Sequence, residues 1–196
     1  MEGSGRIARR ALLPCAAASA LAVAGCGGGP RQDASEPSGV FRVAVVDARF
    51  PARQRLSSPE RFVIAVKNTG TQTVPNVAVT VDSFTAASDQ AGLASGQRPV
   101  WVVDDGPGGG TTAYTNTWAL GALSPGHVRR FVWHVTAVAP GTHTVKWQVA
   151  AGLNGKAKAT FAGNRAPTGT FTVDVSDKPA ESHVDPKTGA VVRQGQ

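Results

Sequence analysis

From Val40 to Val175 the chain repeatedly places large apolar residues at every second position, in runs too short for helices and separated by turn-forming residues. Phe41, Val43 and Val45 alternate with Arg42 and Ala44. Phe62, Ile64 and Val66 alternate with Arg61, Val63, Ala65 and Lys67, and Val77, Val79 and Val81 follow with Thr80 and Asp82 on the other side. A period of two sends alternate side chains to opposite faces of a strand, so each run has one buried and one wetted face. Between the runs stand Gly and Pro, 23 and 13 in number, and they supply the turns that many short strands need. Beyond the first 25 residues no segment carries a 3.6-residue period. The expectation is an all-β domain.

The strongest pair of runs is Phe131, Trp133 and Val135, then Val145, Trp147 and Val149, with Pro140-Gly141 between them. Read as a hairpin with Val135 opposite Val145, this sets Trp133 against Trp147 and Phe131 against Val149, burying six large side chains on one face. Shorter strands are expected over 156–161 and 168–175, the latter with Phe171, Val173 and Val175 inward, and a turn over Asn68-Thr69-Gly70-Thr71. Strands at this spacing fit a two-sheet β-sandwich.

The segments Arg61-Phe62-Val63-Ile64-Ala65-Val66-Lys67-Asn68-Thr69-Gly70 and Val74-Pro75-Asn76-Val77-Ala78-Val79, with Trp118-Ala119-Leu120-Gly121-Ala122-Leu123-Ser124-Pro125-Gly126 leading into the later strands, carry a resemblance. They resemble bacterial immunoglobulin-like domains of the cell-adhesion-related (CARDB) type and its relatives. The resemblance spans roughly 40–176 and implies an immunoglobulin-like two-sheet β-sandwich. Its motifs describe strands and turns and imply no catalytic residues. The sequence departs from the pattern over 83–117, a long excursion rich in Gly, Ser and Asp.

The start of the chain speaks to its address. Arg6, Arg9 and Arg10 precede an apolar stretch that ends in Val23-Ala24-Gly25-Cys26. The stretch is shorter than the roughly 20 residues of a membrane helix, and a basic start, apolar middle and small-residue end describe an export signal. Val23-Ala24-Gly25-Cys26 resembles the lipobox of bacterial lipoproteins. That resemblance implies acylation of Cys26 and its exposure as the first mature residue. Arg9-Arg10-Ala11-Leu12-Leu13 resembles a twin-arginine signal, although Ala8 and Pro14 depart from it, so the general secretory and twin-arginine routes both stay open. The expected organisation is a signal peptide at 1–25, a lipidated cysteine and flexible tether at 26–39, the sandwich at 40–176 and a polar, disordered tail at 177–196. The tail carries a turn at Asp185-Pro186-Lys187-Thr188-Gly189 and has a terminal hairpin as its alternative.

Losing Arg6, Arg9, Arg10 and Glu2 with the signal leaves 17 basic and 12 acidic residues, a net +5. The cations are scattered rather than set in a stripe with aromatics, so nucleic acid is not an expected partner. Cys15 lies within the export signal, and a lipidated Cys26 leaves no thiol for a disulfide or for catalysis.

Candidate ligand residues fall in the 83–117 excursion, because loops at the end of a sandwich vary without disturbing its core. Trp101, Tyr114 and Trp118 are candidates for an aromatic surface, with burial in the core as the competing reading of the tryptophans, and Asp104 and Asp105 are candidates for a polar one. The two aspartates before Gly106 lack the further acidic ligands of a calcium loop. The histidines His127, His134, His143 and His183 form no converging pair in the hairpin register above, so no metal or other cofactor is expected. The chain has no Gly-x-Ser-x-Gly elbow or His-Glu zinc motif, and adjacent aspartates on a strand point to opposite faces, so no enzyme is expected. The resulting expectation is a non-catalytic lipoprotein on the outer face of the bacterial cell membrane. Its immunoglobulin-like domain would bind an envelope protein or glycan, with a structural or accessory subunit of an envelope or transport complex as the alternative.

Overall fold

The computed structural model describes residues 33–84, 99–108, 112–179 and 181–193. The expected signal peptide and Cys26 lie outside the described residues, as do 85–98 of the excursion. Among the described residues thirteen strands run β1 (Gly39–Arg49), β2 (Arg53–Leu56), β3 (Pro59–Asn68), β4 (Ala78–Val81), β5 (Trp101–Asp105), β6 (Thr112–Tyr114), β7 (Thr117–Ala119), β8 (Val128–Ala137), β9 (Gly141–Ala150), β10 (Ala157–Thr160), β11 (Thr168–Pro179), β12 (Ser182–Val184) and β13 (Val191–Arg193). One sheet has the order β10-β1-β3-β8-β5, and the other the order β2-β11-β9-β4-β7-β6.

The all-β sandwich expected from the alternation is the observed fold, and its strand order is that of an immunoglobulin domain. β1, β3, β8 and β5 occupy the positions of strands A, B, E and D. β4, β9 and β11 occupy C, F and G, with β7 and β6 extending that sheet on the C side as in variable-type domains. The excursion is responsible for one variation. After β4 the chain crosses to the first sheet as β5, returns to the second as β6 and β7, and crosses again to β8.

Phe131, Trp133, Val135, Val145, Trp147 and Val149 are all buried, as expected, but β8 and β9 do not pair. β8 lies between β3 and β5, and β9 between β11 and β4. The Pro140-Gly141 segment is therefore a corner joining the two sheets, and the six side chains come from opposing faces of the sandwich. Alternation fixes which face is buried and leaves the hydrogen-bonding partner undetermined. The centre of the core is Phe62, whose ring lies 5.0 Å from Trp133, 5.2 Å from Phe50, 5.5 Å from Phe84 and 5.6 Å from Phe171, mostly edge-to-face.

Val63 and Ala65 point to the outer face of β3 and were expected in water, yet both are buried. Asp47 and Arg130 flank Ala65 on β1 and β8. Arg130 Nη1 donates to Asp47 Oδ2 at 2.6 Å, closing an ion pair over the small side chain.

Asn68 ends β3 as a buried hub. Its Nδ2 donates to the carbonyls of Gln72 and Leu123, each at 2.8 Å, and its Oδ1 accepts from Gly70 N at 2.9 Å. An asparagine supplies two donors and an acceptor at once, which holds this turn against the neighbouring loop. Beyond β11, the segment expected to be disordered carries β12 and β13, an antiparallel hairpin turning through Asp185 to Gly189. Asp185 Oδ1 accepts from Lys187 N at 2.8 Å, an Asx-turn that gives this polar segment its fold.

Candidate functional site

The structure separates the five candidate residues of the excursion instead of gathering them on one surface. Trp101 is 1% exposed, on the inner face of β5, and its Nε1 donates to the buried Gln54 Oε1 at 2.7 Å. Gln54 is fixed in turn by donating to Pro51 O at 3.0 Å. Trp118 is also buried, edge-on to Trp133 at 5.4 Å. Both indoles are committed to the core, and neither offers a face for stacking a ligand.

Asp104 and Asp105 are exposed at a bulge where β5 slips against β8. Asp104 Oδ2 accepts from Thr136 Oγ1 at 2.7 Å, and Asp105 Oδ2 lies 3.7 Å from His134 Nδ1. His134 stands across from Arg61 on β3 and Asp105 on β5. Among the described residues no three His, Cys, Asp or Glu side chains gather into a metal-binding group, and no helix is long and apolar enough to cross a membrane.

Tyr114, the remaining candidate, is 45% exposed and leads to a feature that the sequence reading missed. Its hydroxyl donates to Asp33 Oδ2 at 3.0 Å. Asp33 lies in the stretch expected to be a flexible tether, yet it is buried, and its carbonyl accepts from Asn154 Nδ2 at 2.8 Å. Three residues on, Glu36 Oε2 accepts from Leu153 N at 2.6 Å and Asn154 N at 3.2 Å. Two backbone N–H groups on one carboxylate form a charge-assisted clasp, stronger than a neutral pair. Gly152 leaves room for it, since a Cβ there would come within 2.5 Å of Glu36 Oε2. From Gly39 the strap becomes β1, whose first residues pair in parallel with β10 just beyond the clasp. The tether is thus docked on the sandwich from Asp33 onward. Glu36 sits among Ser, Pro and Gly and bonds a loop 117 residues away, so local sequence carries no sign of it.

The fold and this junction define a class: an immunoglobulin-like β-sandwich with its N-terminal lead folded onto one end. No family model matches the chain, and no curated protein matches it. Solved structures with a similar course include the CARDB domain of the PF1109 protein from Pyrococcus furiosus, described in complex with di-metal ions. That match has 15% identity, covers 70% of this chain and 86% of that one, and has a TM-score of 0.40. Native alpha-2-macroglobulin from Escherichia coli, spanning domain MG7 to the C-terminus, matches at 14% identity over 79% of this chain and 21% of that one, with a TM-score of 0.43. A β-glucosidase from Listeria innocua matches at 13% identity over 71% and 16%, with a TM-score of 0.37. The immunoglobulin-like class rests on the strand order described above.

Proposed function

We propose that the protein is a bacterial envelope lipoprotein, acylated at Cys26, whose immunoglobulin-like domain is a non-catalytic module for binding an envelope protein or glycan. Support for the anchor comes from Val23-Ala24-Gly25-Cys26 read together with the docked strap. Asp33 is only seven residues beyond Cys26, a span of at most about 25 Å when fully extended. A cysteine so close to the folded body can hold that body against a lipid surface. Two or three acyl chains, at about 0.8 kcal/mol per buried methylene, anchor it for its lifetime. The binding role draws on the fold class and on β5 and β6, each the terminal strand of its sheet, since an added strand can pair with a sheet edge.

The test is metabolic labelling with an alkyne fatty acid, followed by membrane fractionation of the full chain and a Cys26→Ser variant. Acyl label should enter the wild-type protein in the membrane fraction and be absent from the variant. Equal labelling of both, or none in the wild type, would discard the anchor. Crosslinking in intact cells, with identification of the attached species, tests the binding role. Recovery of a discrete envelope protein or glycan is the expected result.

A further inference from the structure

Where the chain changes sheets between β1 and β2, the sandwich is left open. The last pair of β1 with β3 is Arg49 with Val63. Beyond it, β3 continues through Phe62 and Arg61 with β8 alone beside it, while Phe50 and Pro51 turn away toward β2 on the opposite sheet. The resulting gap has a volume of about 500 Å³, within the range of small-molecule sites. Phe50, Pro51, Val63 and Phe171 form its apolar wall, and Arg49 and Arg61 stand at its rim, with no acidic residue in the lining.

The rim carries uncompensated positive charge. Arg49 Nη2 donates to Asp47 Oδ2 at 2.7 Å, but that same oxygen also accepts from Arg130, so one carboxylate serves two guanidinium groups. Arg61 is exposed and makes no hydrogen bond or ion pair with another described residue. Its neighbour across the ladder, His134, is directed at Asp105. An apolar cleft with an unpaired guanidinium at its mouth suits a ligand of matching polarity: a planar anionic group for the arginine fork and an apolar body for the cleft.

We propose that this gap binds a small soluble carboxylic acid with an apolar body, the carboxylate held by Arg61 with help from Arg49. The site is independent of lipidation and of the binding edges proposed above.

Three compounds sharing one apolar body test it against the full chain by titration calorimetry: 2-naphthoate, 2-naphthylmethanol and 2-naphthylmethylammonium. Naphthoate should bind at one saturable site, and the alcohol and the ammonium at least about tenfold more weakly, because charged hydrogen bonds to arginine are among the stronger polar contacts. Arg61→Ala and Arg61→Gln should each weaken naphthoate by about tenfold or more. Arg55→Ala, on β2 and outside the lining, should leave it unchanged. Since Arg61 is exposed, these variants keep the fold, which circular dichroism checks. Equal binding of the three compounds, no saturable binding of naphthoate, or naphthoate affinity unmoved by both Arg61 variants would overturn the proposal.

Discussion

Gly169 on β11 stands directly opposite Trp147 on β9, and the indole covers the glycine so closely that a Cβ there would fall on the Trp147 ring. Glycine in a strand interior weakens the strand unless something occupies the space its missing side chain leaves, and here Trp147 does so. Gly169→Ala should therefore destabilise the fold by about 1–3 kcal/mol through overpacking, although alanine is the better strand residue. Urea unfolding measures the loss. In a Trp147→Leu background the same substitution should cost much less, and a double-mutant cycle isolates the coupling.

Asn68→Ala removes two donors and an acceptor from a buried turn, and leaves the Leu123 carbonyl without its side-chain partner. The expected loss is about 2–4 kcal/mol by denaturant titration. Asn68→Asp should not rescue it, because a carboxylate would face two carbonyl oxygens that now receive an amide.

Stability should depend on pH through two carboxylates that act in opposite directions. Hydrogen bonds from Arg49 and then Arg130 hold Asp47 below its ordinary value of 3.8, so its contribution is present above that value and disappears as pH falls through the lowered one. Asp47→Asn should accordingly be less stable than wild type at neutral pH and converge with it in strong acid. Glu60, facing inward beside Val135, is raised above 4.5 chiefly by burial, against a smaller lowering by a Ser58 hydrogen bond. Its contribution is complete below 4.5 and is lost as pH rises through the raised value. Glu60→Gln should thus flatten the decline in stability that wild type shows over that window. Denaturant midpoints from pH 2 to pH 8 read both effects.

Glu36→Ala should release the strap without unfolding the sandwich. Amide exchange at Leu153 and Asn154, whose N–H groups lose their carboxylate acceptor, should accelerate by about tenfold or more, while amides at the centre of β3 and β8 keep their protection. Gly152→Ala should give the same pattern by crowding Glu36 Oε2. Unchanged exchange at both loop amides in both variants would mean that the clasp is not what holds this end.

The faces of the sandwich were legible from sequence, whereas the partners of its strands were less so. Phe62, Ile64 and Val66, and later Phe131, Trp133 and Val135, announce their burial by alternation, which is a local property. Whether β8 lies beside β9 or across the core from it depends on β3 and β11, distant strands that compete for the same edges, so the hairpin reading was overturned. Ala65 broke the alternation because its cover, the Asp47–Arg130 ion pair, is assembled from two other strands. Among the candidate ligand residues, burial of Trp101 was one of two readings open from sequence, and the structure decides for it. The glutamine that accepts its N–H is 47 positions earlier, in a short strand that the periodicity did not reveal. The strap was illegible for the same reason: Glu36 acquires its role only once the loop after β9 has been placed.

The two parallel pairings, β1 with β10 and β2 with β11, join the beginning of the sandwich to its end. A ribosome adding about 5–20 residues each second makes the first two strands many seconds before the strands that complete them. Until β10 and β11 have emerged, neither sheet can be finished. Such delayed closure is compatible with threading through a narrow translocation channel, and it assigns the decisive step of folding to whichever compartment receives β10 and β11.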